Sequence, residues 1–419
     1  MRTPRLAAFA LLLIALPASA RAEEKFALKE GDRVVFYGDS ITEQRLYTTF
    51  VETFAVTRFP KTEITFVHSG WGGDRVDGGD GGPIDVRLDR DVEAHKPTVV
   101  TIMLGMNDAS YRPFRDSTFN TYASGYRHIV EKLKADLPGV RLTLIKPSPY
   151  DDVTRKPEFE DGYNNVLIRY GDFVRELAGK SDARFADLNT YVVDATRRAF
   201  ESDPEGAALL NKDRIHPGPG GQLLMAAALL KAWDAPAVVS DVAIDAREAK
   251  ATRADHAQVS VLANEGGTVK WTQLDEALPF PIDLKDPAVE LAVRSSDVVA
   301  TLDRQALKVE GLDAENYVLT IDGGTVGTFA KGQLAEGVNL ATLATPMGRQ
   351  AARVHALTLK HNNLHAARWR AVQFPNPGSK SANLAKALEA LDGLEAEIVA
   401  EQRAEALPKS HDFALTPKS

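Results

Sequence analysis

A chain of 419 residues has room for one large domain or two ordinary ones, and either buries a substantial core. Hydrophobic residues make up 44% and charged residues 26%, an ordinary globular balance, and the net charge of −8 with no long basic block argues against a nucleic-acid partner. The complete absence of cysteine excludes disulfides, thiolate metal sites, cysteine nucleophiles and a lipoprotein anchor.

The first 22 residues read as a signal peptide. Arg2 and Arg5 precede an apolar run over 6–16, too short to span a bilayer, and Ala20-Arg21-Ala22 supplies a small-x-small cleavage site before Glu23. A buried amino-terminal helix is the alternative; the order of charges favours export, to the periplasm or the medium. No later apolar stretch has membrane-spanning length, so no membrane span is expected.

From residue 33 to about 235, apolar runs at 34–37, 64–67, 98–104, 142–145 and, more weakly, 185–188 alternate with stretches of helical spacing. Buried strands alternating with helices predict right-handed crossovers and a parallel sheet between helical layers. After Trp233 the texture changes to short alternating runs as far as about residue 340, with Asp322-Gly323-Gly324 as a hairpin turn. Pro279, Pro281 and Pro287 interrupt any helix there. Helical spacing returns at 347–371 and 384–404, and the polar tail after Pro408 reads as frayed. The expected domains are 23–236 and 237–419, the second β-rich and ending in two helices, its role open.

The chemistry is read from position. Ligands of an open parallel sheet bind outside the carboxyl ends of its strands. Ser40 follows the first apolar run, Gly73 the second and Asn107 the third, so three strands deliver a hydroxyl, a bare backbone amide and a side-chain amide to one edge. A serine hydroxyl needs a base, because it is almost wholly protonated at neutral pH. His216 is the candidate, lying on a tight loop ahead of a helical run, and Asp213 three residues earlier can fix its tautomer. Gly73, Asn107 and the Ser40 amide can supply the donors that a tetrahedral oxyanion needs.

These segments resemble the SGNH, or GDSL-type, hydrolases over roughly residues 33–230: Gly38-Asp39-Ser40, Gly72-Gly73-Asp74, Gly105-Met106-Asn107-Asp108 and Asp213-Arg214-Ile215-His216. The resemblance implies Ser40 as nucleophile, Gly73 and Asn107 as oxyanion donors, and Asp213 and His216 as acid and base. It also implies a flavodoxin-like three-layer sandwich with a five-stranded parallel sheet. Two positions depart from the pattern: His68 where many relatives carry asparagine, and Gly72 where serine is common. The expected activity is an exported serine esterase acting through an acyl-enzyme, with no metal or organic cofactor required. Its substrate would be a small-molecule or polysaccharide ester, an acetyl group on a sugar being favoured over lipid or lysophospholipid esters.

Other features carry competing readings. Asp39 is a helix cap or a supporting group at the site. Asp74, Asp77, Asp80 and Asp85 look like a calcium cluster but lack its spacing, and a solvated turn is preferred. The glycine-rich stretch 76–82 could gate the site. Arg75 breaks a dinucleotide fingerprint, and Asn362 breaks a helical zinc motif formed by His361 and His365. Tyr111 either lines the substrate site or packs a loop. Trp271 and Trp369 either stack on sugars, as in a cell-envelope carbohydrate-binding or scaffold protein, or fill a core.

Overall fold

The five apolar runs of the first half become the five strands of one parallel sheet. In the computed structural model of the protein, which describes residues 26–418, these strands are β1 (Arg33–Gly38), β2 (Thr65–Gly70), β3 (Val99–Met103), β4 (Arg141–Ile145) and β5 (Arg184–Ala186). The proposed signal peptide lies outside the described residues. The sheet order is β2-β1-β3-β4-β5 and every neighbouring pair is parallel, the doubly wound pattern whose order reverses beside β1. Val34, Val35, Phe36, Val100, Ile102 and Leu144 are fully buried, which is why these strands read as continuous apolar runs instead of alternating ones.

Helices α1 (Ser40–Glu43), α2 (Leu46–Arg58), α3 (Ile84–Asp91), α4 (Asp116–Asp136), α5 (Tyr163–Lys180), α6 (Leu188–Ser202) and α7 (Pro219–Ala232) complete this half. Helix α7 packs against α2 and α6 in one layer, and α4 packs against α3 and α5 in the other. Buried on nearly every side from Gly220 to Leu230, α7 carries no polar face in its sequence, as a wholly internal helix should.

The second half is a β-sandwich with helices. Its strands are β6 (Val238–Asp245), β7 (Lys250–Asp255), β8 (Ala257–Glu265), β9 (Thr268–Asp275), β10 (Arg304–Glu310), β11 (Asn316–Ile321), β12 (Gly324–Ala330), β13 (Val338–Asn339) and β14 (His411–Pro417). One sheet runs β8-β9-β14-β11-β12 and the other β13-β10-β6-β7. Val242, Ile244, Trp271, Leu307, Leu319, Phe413 and Leu415 share one core between them. The expected turn is there: Ile321 pairs with Gly324 across Asp322-Gly323, whose φ angles of 50° and 75° fit a two-residue hairpin loop.

Two expectations fail. The tail after Pro408 is not frayed but forms β14, hydrogen-bonded on both sides by β9 and β11 at the centre of the five-stranded sheet. Alternation in His411–Pro417 places His411, Phe413 and Leu415 inward, a period that a polar composition disguises. Pro287 does not interrupt a helix but begins one, α8 (Pro287–Arg294), where its missing N–H is harmless and Asp286 caps the turn by accepting from Ala288 N. With α9 (Val298–Leu302), this segment joins the core of the first half through Val289, Leu291 and Leu302. The closing helices α10 (Pro346–Ala366) and α11 (Ala382–Ala406) pack on each other, and α10 packs on α2.

Candidate active site

Ser40 stands at the first position of α1, directly beyond the carboxyl end of β1. Asp39 caps that helix, its Oδ1 accepting from Ile41 N at 3.0 Å, so the strand-to-helix turn is held by a side chain that is itself buried. The cap reading of Asp39 therefore holds. Ser40 Oγ lies 2.8 Å from His216 Nε2, and His216 Nδ1 lies 2.7 Å from Asp213 Oδ2. Residues 176 positions apart thus meet in one hydrogen-bonded chain.

The loop bearing the acid and base is wound around the Asp213 carboxylate. Its Oδ1 accepts from Ile215 N at 3.0 Å and His216 N at 2.7 Å, and Arg214 takes a φ of 71° to allow it. Partial burial pushes the Asp213 carboxyl upward, but these hydrogen bonds from the backbone and imidazole outweigh it and hold the group below its ordinary range. An ionised partner of this kind fixes the imidazole with its proton on Nδ1 and its lone pair toward Ser40.

Gly73 and Asn107 sit on the turns after β2 and β3. Gly73 has a φ of 78°, and a side chain there would meet nothing within 4 Å, so the backbone conformation and not space demands glycine. Neither its amide nor that of Ser40 has a protein acceptor among the described residues. Asn107 donates from Nδ2 to the Asp74 carbonyl at 3.1 Å, which ties the third turn to the second, and its Oδ1 accepts from the Tyr111 hydroxyl at 2.8 Å. At Gly72 a Cβ would stand 2.8 Å from Glu43 Oε2, the end of a flexible side chain that would have to shift, and 4.0 Å from Ser40 Cβ.

Beneath these turns lies a charge knot that the sequence does not advertise. Asp74 is no solvated turn residue: it is buried and accepts from Arg87 Nε at 2.8 Å. Arg87 also bonds Asp91 and the Ser69 carbonyl and lies over the rings of Tyr37, Trp71 and Trp369. Asp85 turns away to His128 at 2.6 Å, so the four aspartates do not converge. Burial pushes Asp39 and Asp108 up to about 7, and Asp74 up to about 6 against the pull of Arg87. The stretch 76–82 is a short hairpin pairing Gly78–Gly79 with Gly82–Pro83, tied to Arg90 through the Gly81 carbonyl.

The carboxyl-terminal half reaches this rim. Arg370 pairs with Glu43 at 2.6 Å and stacks 3.4 Å from the centre of the Trp71 ring, while Trp369 donates to Asp91 at 2.9 Å. Glu43 belongs to the same short helix as Ser40. Trp369 and Trp271 are both buried, Trp271 stacking on Phe413 at 5.0 Å in the sandwich core and Trp369 packing edge-on against Trp71 at 5.5 Å beside the charge knot. His68, the departure in β2, is buried between Thr48 at 2.7 Å and Glu52 at 3.0 Å, away from the serine. His361 and His365 face Glu395 from α10 and pack between the halves.

Comparison with known proteins places this geometry. Residues 36–224 match the GDSL-like lipase/acylhydrolase family. The chain carries a GDSL-like lipase/acylhydrolase domain. An acetylxylan esterase of Geobacillus stearothermophilus is 23% identical over 219 residues, covering 48% of this chain and 93% of that one. Among solved structures, a gut microbial diltiazem-metabolizing enzyme, BT4096, superposes with a TM-score of 0.81 at 25% identity over 93% of this chain and 98% of its own. The solved acetylxylan esterase Axe2 from Geobacillus stearothermophilus covers 50% of this chain at 24% identity with a TM-score of 0.40. Family and relatives support an ester hydrolase, and the likeness to BT4096 extends through the sandwich and closing helices. Among the described residues no helix is long and apolar enough to cross a membrane.

Proposed function

We propose that this GDSL-like domain is a serine esterase, exported by the segment 1–22, that removes small acyl groups, acetyl foremost, from carbohydrates. The observation that carries the reading is the chain of contacts from Ser40 Oγ through His216 to Asp213, at 2.8 and 2.7 Å. Ser40 attacks the ester carbonyl while His216 Nε2 takes the hydroxyl proton. The amides of Ser40 and Gly73 and the Asn107 side chain donate to the oxyanion. His216 then returns its proton to the departing alcohol, leaving Ser40 acylated. Water, deprotonated by the same nitrogen, attacks the acyl carbon, and that proton passes back to Ser40 as the carboxylic acid leaves, to ionise in solvent.

The acetyl and carbohydrate preference draws on the acetylxylan esterase relative, which acts on an acetylated polysaccharide by its name. Export draws on the charge order and small-x-small pattern of the first residues. Ser40→Ala is expected to lower ester turnover by about 10⁴-fold or more. A series of 4-nitrophenyl esters and an acetylated xylo-oligosaccharide tests the rest. Highest kcat/KM on the acetyl members is expected; a rise with chain length would move the assignment to lipid esters.

A further inference from the structure

Among the residues around the serine, Tyr111 is the one whose hydroxyl touches a proposed oxyanion donor without itself being one. Its OH donates to Asn107 Oδ1 at 2.8 Å, on the far side of the amide from the Nδ2 that bonds the Asp74 carbonyl. The two contacts agree on a single orientation of the amide. One N–H is engaged by Asp74, and the second is left to point elsewhere. A hydrogen bond accepted at an amide oxygen also polarises its N–H groups and strengthens them as donors.

The chain bends unusually to make this contact. Ser110 and Tyr111 both lie in the left-handed region, at φ 52° and 58°, which residues with a Cβ seldom occupy singly and rarely in succession. Two overlapping turns hold them there, Ser110 N bonding Asn107 O at 3.1 Å and Arg112 N bonding Ala109 O at 3.1 Å. The Tyr111 ring is gripped by Tyr163 at 5.1 Å and Tyr150 at 6.2 Å, and Tyr163 OH donates to the Met106 carbonyl at 2.6 Å, next to Asn107. Arg214 lies over Tyr150 at 5.6 Å, so the same aromatic group adjoins the acid–base loop. Burial, with the Asp39 charge adding to it, pushes the Tyr111 phenol up to about 12, and it therefore keeps the proton it donates. Loop packing alone would need the ring and not the hydroxyl.

We infer that Tyr111 is a positioning residue of the reaction: its hydroxyl fixes and polarises the Asn107 amide so that the free N–H meets the developing oxyanion. The inference rests on the esterase reading above and adds a residue to it. Tyr111→Phe keeps the ring and removes only the oxygen, so its thermal midpoint should match the wild type closely. With 4-nitrophenyl acetate as substrate, kcat should fall about tenfold while KM stays within about twofold. Asn107→Ala should lose about a hundredfold to a thousandfold, and adding Tyr111→Phe to it should change kcat by less than about twofold, because the hydroxyl then has nothing to act through. An unchanged kcat in Tyr111→Phe, a loss confined to KM, or a full tenfold loss repeated on the Asn107→Ala background would overturn the role. Ser40→Ala, assayed alongside, separates the two readings. Turnover surviving in it defeats the esterase assignment, whereas abolished turnover with independent losses defeats only the part given to Tyr111.

Discussion

Asp39 combines two demands in one buried carboxyl. It must accept from Ile41 N to start the helix that carries Ser40, and it must do so while buried itself, with Asp74 and Asp108 near by. Burial pushes its folded-state value up to about 7, far above the ordinary range. The sign follows directly: the folded protein holds this proton where the unfolded chain has released it. The stability so gained is complete below about pH 4 and is lost as pH rises toward about 7, where the folded carboxyl must ionise. Asparagine caps a helix equally well and carries no charge. The thermal midpoint of Asp39→Asn, relative to the wild type, should therefore be more favourable at about pH 8 than at about pH 5. Equal differences at the two pH values would show that the carboxyl is already ionised throughout. Ser40, Gly73 and Asn107 are legible in the sequence as candidates because each sits in a short local pattern just beyond a strand, and Asp213 and His216 because they share one loop ahead of a helix. The Glu43–Arg370 pair is not, since its members lie 327 positions apart with nothing local to announce them. Nor does spacing reveal which way the Tyr111 hydroxyl points.

At the level of elements, the parallel sheet was open to reading because strands covered on both faces become unbroken apolar runs. Strand β14 was not. Its seven residues carry Asp412, Thr416 and Pro417 on their outward face or end, and a polar segment near a terminus resembles a frayed one until its partners are known. Its place between β9 and β11 makes it the centre of its sheet, and Phe413 stacks on Trp271 in the core. Phe413→Ala is thus expected to destabilise the protein by about 3–5 kcal/mol, the usual range for emptying a buried aromatic position. Denaturant unfolding measures this directly; a change below about 1 kcal/mol would mean that the strand contributes little. Pro287 teaches a related lesson. The same residue that breaks a helix internally opens one when an aspartate precedes it, and Asp286-Pro287 is that pair.

Across the whole molecule, the two halves share more than a boundary. Helices α10 and α11 close over α2 around Glu52, a carboxylate that is 3% exposed and accepts from Asn362 at 3.1 Å and Gln402 at 3.2 Å beside its contact with His68. Burial pushes Glu52 upward, but His68 first, then His361 and Gln402, prevail and keep it below its ordinary range. A buried charge that is satisfied only when both halves are present gives the interface a defined register. From that interface the chain continues to Trp369 and Arg370, which end against Trp71 and the helix of Ser40. The segment that follows α10 thus contributes to the rim of the serine site. The assignment of Ser40 as the nucleophile can be checked by labelling the intact protein with a fluorophosphonate. One adduct per chain is expected, mapped by peptide mass to Ser40 and absent from Ser40→Ala, with ester turnover falling in proportion to labelling. A fully labelled enzyme that still turns over ester, or an adduct on another residue accompanying the loss, would contradict it.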